Sequence, residues 1–319
     1  MPLFMHRRAV LQAGIAALVA ASLPANAAKP RDFFGRRGIP IGLQLYTVAD
    51  TARTALEATL NRVAAIGYES LELAGYHGHT PTQLRAAADK AGLKLTSIHV
   101  GADSRPGEPS LNGDIPKLAA ELHGLGVTDV VMPMFAMPTR FGGPAQGEGR
   151  LAYLERVTLQ ITSGDWQQTA AQLNTWGSAF RKEGLRFGYH NHNPEFAPLP
   201  GGMTGFDILL QETDAESVKI EMDIGWVAAA GIDPVALLRK HRRRVTQLHV
   251  KDIRATTRTN YALAQDPTEV GNGRINWPAL LKAADRAGIQ RYYVEQEPPF
   301  PGDRFDSIDR SLKYLKSLG

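Results

Sequence analysis

From Ile39 onward, short apolar or β-branched runs recur, and each is followed by a longer stretch with apolar positions at helical spacing. The candidate strands are Gly42–Tyr46, Ser70–Leu73, Lys94–Val100, Asp129–Met132, Arg186–His190, Lys219–Asp223, Thr246–Val250 and Tyr292–Glu295. Amphipathic segments lie between them, among them Ala52–Ile66, Thr82–Ala91, Ile115–Leu125, Trp166–Glu183, Pro234–His241 and Pro278–Ala287. Gly67, Gly92, Gly126, Gly184 and Gly288 each stand between such a segment and a strand, where a helix stop belongs. Strand and helix alternating without a break in composition predicts a parallel α/β fold. Eight units favour a single closed (β/α)8 TIM barrel over an open doubly wound sheet. The open sheet would place a Gly-x-Gly-x-x-Gly turn after the first strand, and none follows Tyr46.

In such a barrel the chemistry gathers at the C-terminal ends of the strands. Those ends carry Gln44 and Tyr46, Glu72, His99, His190 to His192, Glu221 and Asp223, His249 and Lys251, and Glu295 and Glu297. Ionisable groups at so many strand ends point to a site rather than to packing. Alternation along the sixth strand puts Glu221 and Asp223 on one face, with Asp223 at the tip as the better metal ligand. On the seventh it aligns Gln247, His249 and Lys251; the eighth adds Glu295. The chain has no cysteine, so disulfides, thiolate ligands and a cysteine nucleophile are excluded and any metal must use His, Asp and Glu. A mixed set of this kind suits one divalent ion, Mn²⁺ foremost, with Zn²⁺, Mg²⁺ or Co²⁺ as alternatives, and leaves positions for substrate oxygens. Each residue also has a plainer role: Asp223 as a helix cap, His249 as a core histidine, Glu295 as an arginine partner.

The chain has 319 residues, 43% hydrophobic and 21% charged, ample for one large core. Its start reads differently. Arg7-Arg8 precedes an Ala-rich apolar run and the small-x-small sequence Ala25-Asn26-Ala27. Residues 1–28 are therefore expected to be a twin-arginine signal peptide, with residues 29–319 forming the barrel. The run is short and diluted for a spanning helix. A periplasmic or extracytoplasmic location with no stable membrane insertion after cleavage follows. The net charge of +4 includes this leader and the run from His241 to Arg244, which reads as a solvated helix end rather than a nucleic-acid patch.

Seven motifs, in order along the chain, resemble the xylose isomerase-like TIM-barrel superfamily. The similarity is to its branch of sugar phosphate isomerases/epimerases, which includes tagatose epimerases and inosose dehydratase. They are Gly42-Leu43-Gln44-Leu45-Tyr46, the run Gly67 to Glu72, Gly188-Tyr189-His190-Asn191-His192, Met222-Asp223-Ile224-Gly225-Trp226, His249-Val250-Lys251-Asp252, the run Val270 to Trp277, and Val294-Glu295-Gln296. The resemblance implies a metal ligand from each of strands five to eight: His190 or His192, then Asp223, His249 and Glu295. Tagatose-type epimerases have a glutamate at the end of strand five where this chain has His190-Asn191-His192, so a symmetric two-glutamate mechanism is not expected. His190 is the first choice as ligand, with His192 or Glu195 as base, and the order can be reversed.

The implied activity is metal-dependent sugar isomerisation or epimerisation, by proton abstraction next to a carbonyl through an enediolate. Lys251 is expected to hydrogen-bond a substrate oxygen, Arg274 to approach the rim, and Glu295 to share in the proton transfer. Gln44, Tyr46, Glu72, His99 and Trp226 are expected to contact substrate, the aromatic rings stacking on a sugar. An exported enzyme favours a free or glycosidic sugar as its small-molecule partner. A lyase, hydrolase or dehydratase acting on 3-keto-glycosides or keto-inositols is the second reading, and a non-catalytic periplasmic sugar-binding protein the third. Endonuclease IV shares the barrel but needs more His and Glu, and export argues against nucleic acid. A homodimer is compatible with the resemblance. The Gly- and Pro-rich stretch 135–164 is expected to cross the pocket mouth.

Overall fold

The computed structural model describes residues 32–103 and 106–319. The expected signal peptide at residues 1–28 lies outside them. Eight parallel strands close into a barrel: β1 (Gly42–Gln44), β2 (Ser70–Ala74), β3 (Lys94–His99), β4 (Asp129–Met132), β5 (Arg186–His190), β6 (Lys219–Asp223), β7 (Val245–Val250) and β8 (Arg291–Val294). Each strand pairs with its neighbours in sequence, and β8 closes on β1 through Gly42 opposite Tyr293. The TIM-barrel reading is therefore correct, and every predicted strand is present.

The helices follow local chemistry. Pro81–Ala91 starts at a Thr80–Gln83 capping box and stops at Gly92, whose φ of 72° is the left-handed conformation a helix C-cap calls for. Trp277–Ala287 is capped by Asn276 and presents Leu280, Leu281 and Ala284 to the core. The core fills the space between strands and helices with side chains such as Leu43, Leu71, Val130, Phe187, Ile220 and Leu248.

Three expectations are adjusted. β1 ends at Gln44 rather than Tyr46, because the side chain of Gln44 accepts a hydrogen bond from the backbone N–H of Tyr46 (3.0 Å) and Leu45–Val48 winds into a 3-10 turn. The predicted helix Ala52–Ile66 is broken at Ala55 (φ −148°) into Ala49–Thr54 and Leu56–Ile66. The stretch 135–164 holds a 3-10 turn, Thr139–Phe141, and a helix, Arg150–Thr158. After β7 the chain forms a small antiparallel ribbon, Asp252–Ile253 with Pro267–Thr268. Among the described residues no helix is long and apolar enough to cross a membrane.

Candidate metal and active site

Strand alternation turns one set of side chains into the barrel, and the register stacks them. Gln44 lies opposite Glu72, Glu72 opposite Ser97, His190 opposite Glu221, Glu221 opposite Gln247, and Asp223 opposite His249. The lower layer is a dense polar network in which Gln247 Oε1 is left without a partner. Glu72 accepts from Gln44 Nε2 (2.8 Å) and Ser97 Oγ (2.5 Å) and meets His249 Nε2 at 2.5 Å. Glu221 Oε2 meets His99 Nε2 at 2.7 Å, His190 Nδ1 at 3.0 Å and His249 Nε2 at 3.1 Å. His99 and His249 stack with ring centroids 5.2 Å apart.

The upper layer is less complete. His249 Nδ1 meets Glu295 Oε2 at 2.9 Å. Lys251 Nζ lies 3.1 Å from Asp223 Oδ2, 2.9 Å from Glu295 Oε2 and 2.8 Å from Glu297 Oε1. Gly225 makes room for the lysine stem: a Cβ there would stand 2.8 Å from Lys251 Cγ. Asp223 serves as a helix cap, accepting from the N–H of Trp226 (2.8 Å) through Oδ1. Its Oδ2 is buried and makes no hydrogen bond of good geometry: it is ion-paired with Lys251, and His190 Nε2 and His249 Nδ1 each lie 3.8 Å from it.

Burial and neighbouring charge set the protonation of this cluster. Burial works against the charged forms of His99 and His249. The carboxylates of Glu72 and Glu221 nevertheless raise His99 to about 9 and hold His249 well above the usual histidine value. Glu72 is held low by those two imidazoles despite its burial, and Glu295 by Lys251 and His249. Burial lifts Asp223 to about 6, with Lys251 opposing. His190 lies well below its usual range, through burial and then the charge of His249. His192 is pushed down to about 3 by burial and by Lys251. Both are neutral imidazoles near pH 7.

A cavity of about 420 Å³ opens above, lined by Tyr46, His99, His190, His192, Trp226, Glu295 and Glu297, with Pro133, Met134, Leu154 and Leu263 as an apolar wall. Leu154 belongs to the helix within 135–164, so that stretch does border the mouth. Tyr46, 51% exposed, stands at the rim.

The structure thus brings together His190, Asp223, His249, Glu295, Lys251, Glu72, Gln44 and His99, with His192, Trp226 and Tyr46 around the cavity. It does not bring Glu195 or Arg274 there. Glu195 sits past the end of β5 in the turn Pro194–Phe196 and accepts a hydrogen bond from Tyr189 (2.6 Å), a residue packed into the surrounding core. Burial raises Glu195 to about 7. Arg274 donates to the backbone carbonyls of Thr257 (3.3 Å) and Ala228 and lines a separate cavity with Asp233 and Asn276. Glu221, noted in the sequence but passed over for Asp223, is central to the lower layer. Gln247, already aligned with His249 by period-two alternation, joins it, and Ser97 joins it too, two residues before His99 on β3, where the same alternation could have found it.

Two overlapping groups have the donor chemistry for a divalent cation: Asp223, His249 and Glu295, and below them His99, His190, Glu221 and His249. The Oδ2 of Asp223, which faces two imidazoles and the Lys251 ammonium without a well-formed hydrogen bond, fits the upper group to a metal.

Comparison with known proteins agrees with this geometry. Residues 60–318 match the family model of the xylose isomerase-like TIM barrel. The chain is 24% identical over 275 residues to an inosose dehydratase of Geobacillus thermodenitrificans, covering 82% of this chain and 88% of that one. It is 25% identical over 201 residues to the inosose dehydratase of Geobacillus kaustophilus, where the match spans 62% of each chain. The crystal structure of a sugar phosphate isomerase/epimerase from Parabacteroides distasonis is 26% identical and superposes with a TM-score of 0.68, over 87% of this chain and 97% of that one. With the family match running through most of the barrel and every one of its eight strands in place, this chain belongs to the xylose isomerase-like TIM-barrel family.

Proposed function

We propose that this protein is a divalent-metal-dependent enzyme that abstracts a proton next to the carbonyl of a small keto-sugar, isomerising or epimerising it through an enediolate. The observation that carries this reading is Asp223 Oδ2, which is ion-paired with Lys251 but lacks a well-formed hydrogen bond and is ringed by His190, His249 and Glu295 beneath the open cavity. Asp223, His249 and Glu295, with His190 beside them, would hold the ion. Mn²⁺ is the first choice, and the bound cation would supply a Lewis acid that makes the C–H between a carbonyl and a hydroxyl more acidic.

The remaining steps belong to the chain. Trp226, Leu263 and Met134 offer apolar surface to the face of a sugar ring. His192 stands at the cavity wall as a neutral imidazole, in its proton-accepting form through the whole neutral range. Its proton affinity is low, so transfer depends on prior acidification of the substrate. Lys251, kept charged by three carboxylates despite its burial, donates to the oxygen on which negative charge develops.

A second reading, dehydration or elimination of a glycosidic oxygen from a keto-inositol or 3-keto-glycoside, is supported by a specific asymmetry. The β5 wall carries imidazoles, while the β8 wall carries Glu295 and Glu297, each ion-paired with Lys251 at the end of β7. Unlike groups on two walls suit removal of a proton by one residue and protonation of a departing oxygen by another. The names of the Geobacillus relatives point the same way.

Incubation in D₂O with 3-keto-glucosides and keto-inositols tests the proposal. Metal-dependent deuterium uptake beside the carbonyl with the carbon skeleton intact is the expected result. Loss of water or of an aglycone selects the second reading, and the absence of both, with metal supplied, overturns each. We further propose that the substrate is met outside the cytoplasm, on the strength of Arg7-Arg8 and the Ala-rich run after it. Cell fractionation of the Arg7→Lys, Arg8→Lys double variant should leave the protein inside; unchanged export would contradict this.

A further inference from the structure

Beside the main cavity lies another of about 390 Å³, and the two share Ala74, His99 and Pro133. Its wall is the loop after β2, held from the loop after β3. The carboxylate of Glu108 accepts hydrogen bonds from the backbone N–H groups of Tyr76 (2.5 Å) and Gly78 (2.9 Å). Gly75, at φ 80°, leaves the space this carboxylate occupies: a Cβ there would stand 2.6 Å from Glu108 Oε2. The loop so held places His77 in the left-handed region at φ 54°, which costs a non-glycine residue roughly 1 kcal/mol.

His77 is only 4% exposed, and its Nε2 has no hydrogen-bond partner. Burial brings the imidazole down to about 4, so it is neutral. Arg53, exposed on the helix Ala49–Thr54, flanks the same cavity. That nitrogen has almost no exposed surface, so a ligand in the cavity completes its hydrogen bond by turning the ring outward, which relieves the cost of leaving it unsatisfied. None of these residues takes part in the chemistry described above.

We propose that this adjoining cavity is a subsite for the second sugar unit of a glycoside, so that the enzyme acts on a two-ring keto-glycoside rather than on a free monosaccharide. The assignment rests on the keto-sugar reading of the main cavity. A neutral imidazole, a guanidinium and backbone groups offer mixed donors and acceptors, the complement of a ring of hydroxyls. The Glu108 carboxylate lining the same wall counts against a phosphate or carboxylate group. The shared residue His99 lies between the two spaces, so a disaccharide would place one ring over the metal cluster and the other against His77 and Arg53.

The test uses unreactive probes, so binding is read without turnover. Calorimetric titration of the full-length protein with glucose and with cellobiose, maltose and trehalose should show at least one disaccharide binding about 10-fold more tightly than glucose. In His77→Gly, where glycine adopts φ 54° without strain, and in Arg53→Ala, that preference should fall to within about threefold while glucose affinity is unchanged. If no disaccharide binds more tightly than glucose, or if both variants keep the preference, the subsite is overturned. Glucose 6-phosphate gaining affinity that Arg53→Ala removes would mark an anion site and overturn it too. Failed deuterium exchange with an intact disaccharide preference would instead sink the reaction reading alone.

Discussion

Two aspartates near the barrel mouth, Asp223 and Asp252, are both fully buried, and their surroundings are opposite. Asp252 accepts from the backbone N–H groups of Ile253 (2.9 Å), Gly271 (3.0 Å), Gly273 (3.3 Å) and Ile275 (3.3 Å) and from Trp277 Nε1 (2.7 Å). The segment Val270 to Trp277 is wrapped around this one carboxylate, and Gly273 is required because a Cβ there would run into Asp252 Oδ1. Asp223 has one such bond, to Trp226, and its other oxygen faces the Lys251 ammonium at 3.1 Å without a well-formed hydrogen bond. A carboxylate offers about four acceptor positions. Where the chain fills them, the residue organises the fold; where it leaves them open among imidazoles and a lysine, the residue is available to a ligand.

The largest expected effect that separates the two is on activity. Asp223→Asn keeps an oxygen for the helix cap but removes the charge. Steady-state kinetics should show kcat/KM falling on the order of 10³-fold, with the melting temperature nearly unchanged. Asp252→Ala should do the reverse. It strands several buried donors and should cost about 3 kcal/mol or more, a drop in melting temperature on the order of 10 °C, while the protein that remains folded keeps its metal content.

Glu195 stands between the two cases, since Oε1 is bonded to Tyr189 and Oε2 is buried without a partner. Its carboxyl is raised from 4.5 to about 7. The stability this contributes is present in full below pH 4.5 and is lost as pH rises through 7. Glu195→Gln, neutral at every pH, should therefore match the wild type at pH 4 and exceed it at pH 8 by roughly 3 kcal/mol at most. Denaturant unfolding at the two pH values checks this; equal stability at both would contradict it. The smallest effect concerns Arg274. Its guanidinium joins backbone carbonyls away from the main cavity, so Arg274→Ala should leave KM within about twofold, and a tenfold rise would return it to the substrate.

These residues also mark where sequence reading succeeds and where it stops. Inside a strand, period-two alternation fixes direction, so Glu221, Asp223, His249 and Lys251 could be placed in the barrel before any coordinates. Beyond the last strand residue that rule lapses. Glu195 follows a turn that carries it out of the barrel into the surrounding core, and nothing in its spacing from His190 reveals this. Arg274 lies in a coil whose path is set by the distant Asp252. Helices were legible where apolar spacing was long. Gly205–Glu212 was missed although Thr204 and Asp207 form a capping box that marks its start. The break at Ala55 has no proline or glycine to announce it.

The cluster around Asp223 is proposed to hold one catalytic divalent ion. Elemental analysis of the purified protein and of Asp223→Asn, each followed by deuterium exchange on a 3-keto-glucoside before and after chelation, tests it most directly. The expected result is one divalent ion per chain in the wild type, its loss in the variant, and exchange that disappears on chelation and returns when the ion is restored to the wild type alone. Full exchange by a chelated, metal-free wild type would contradict the account.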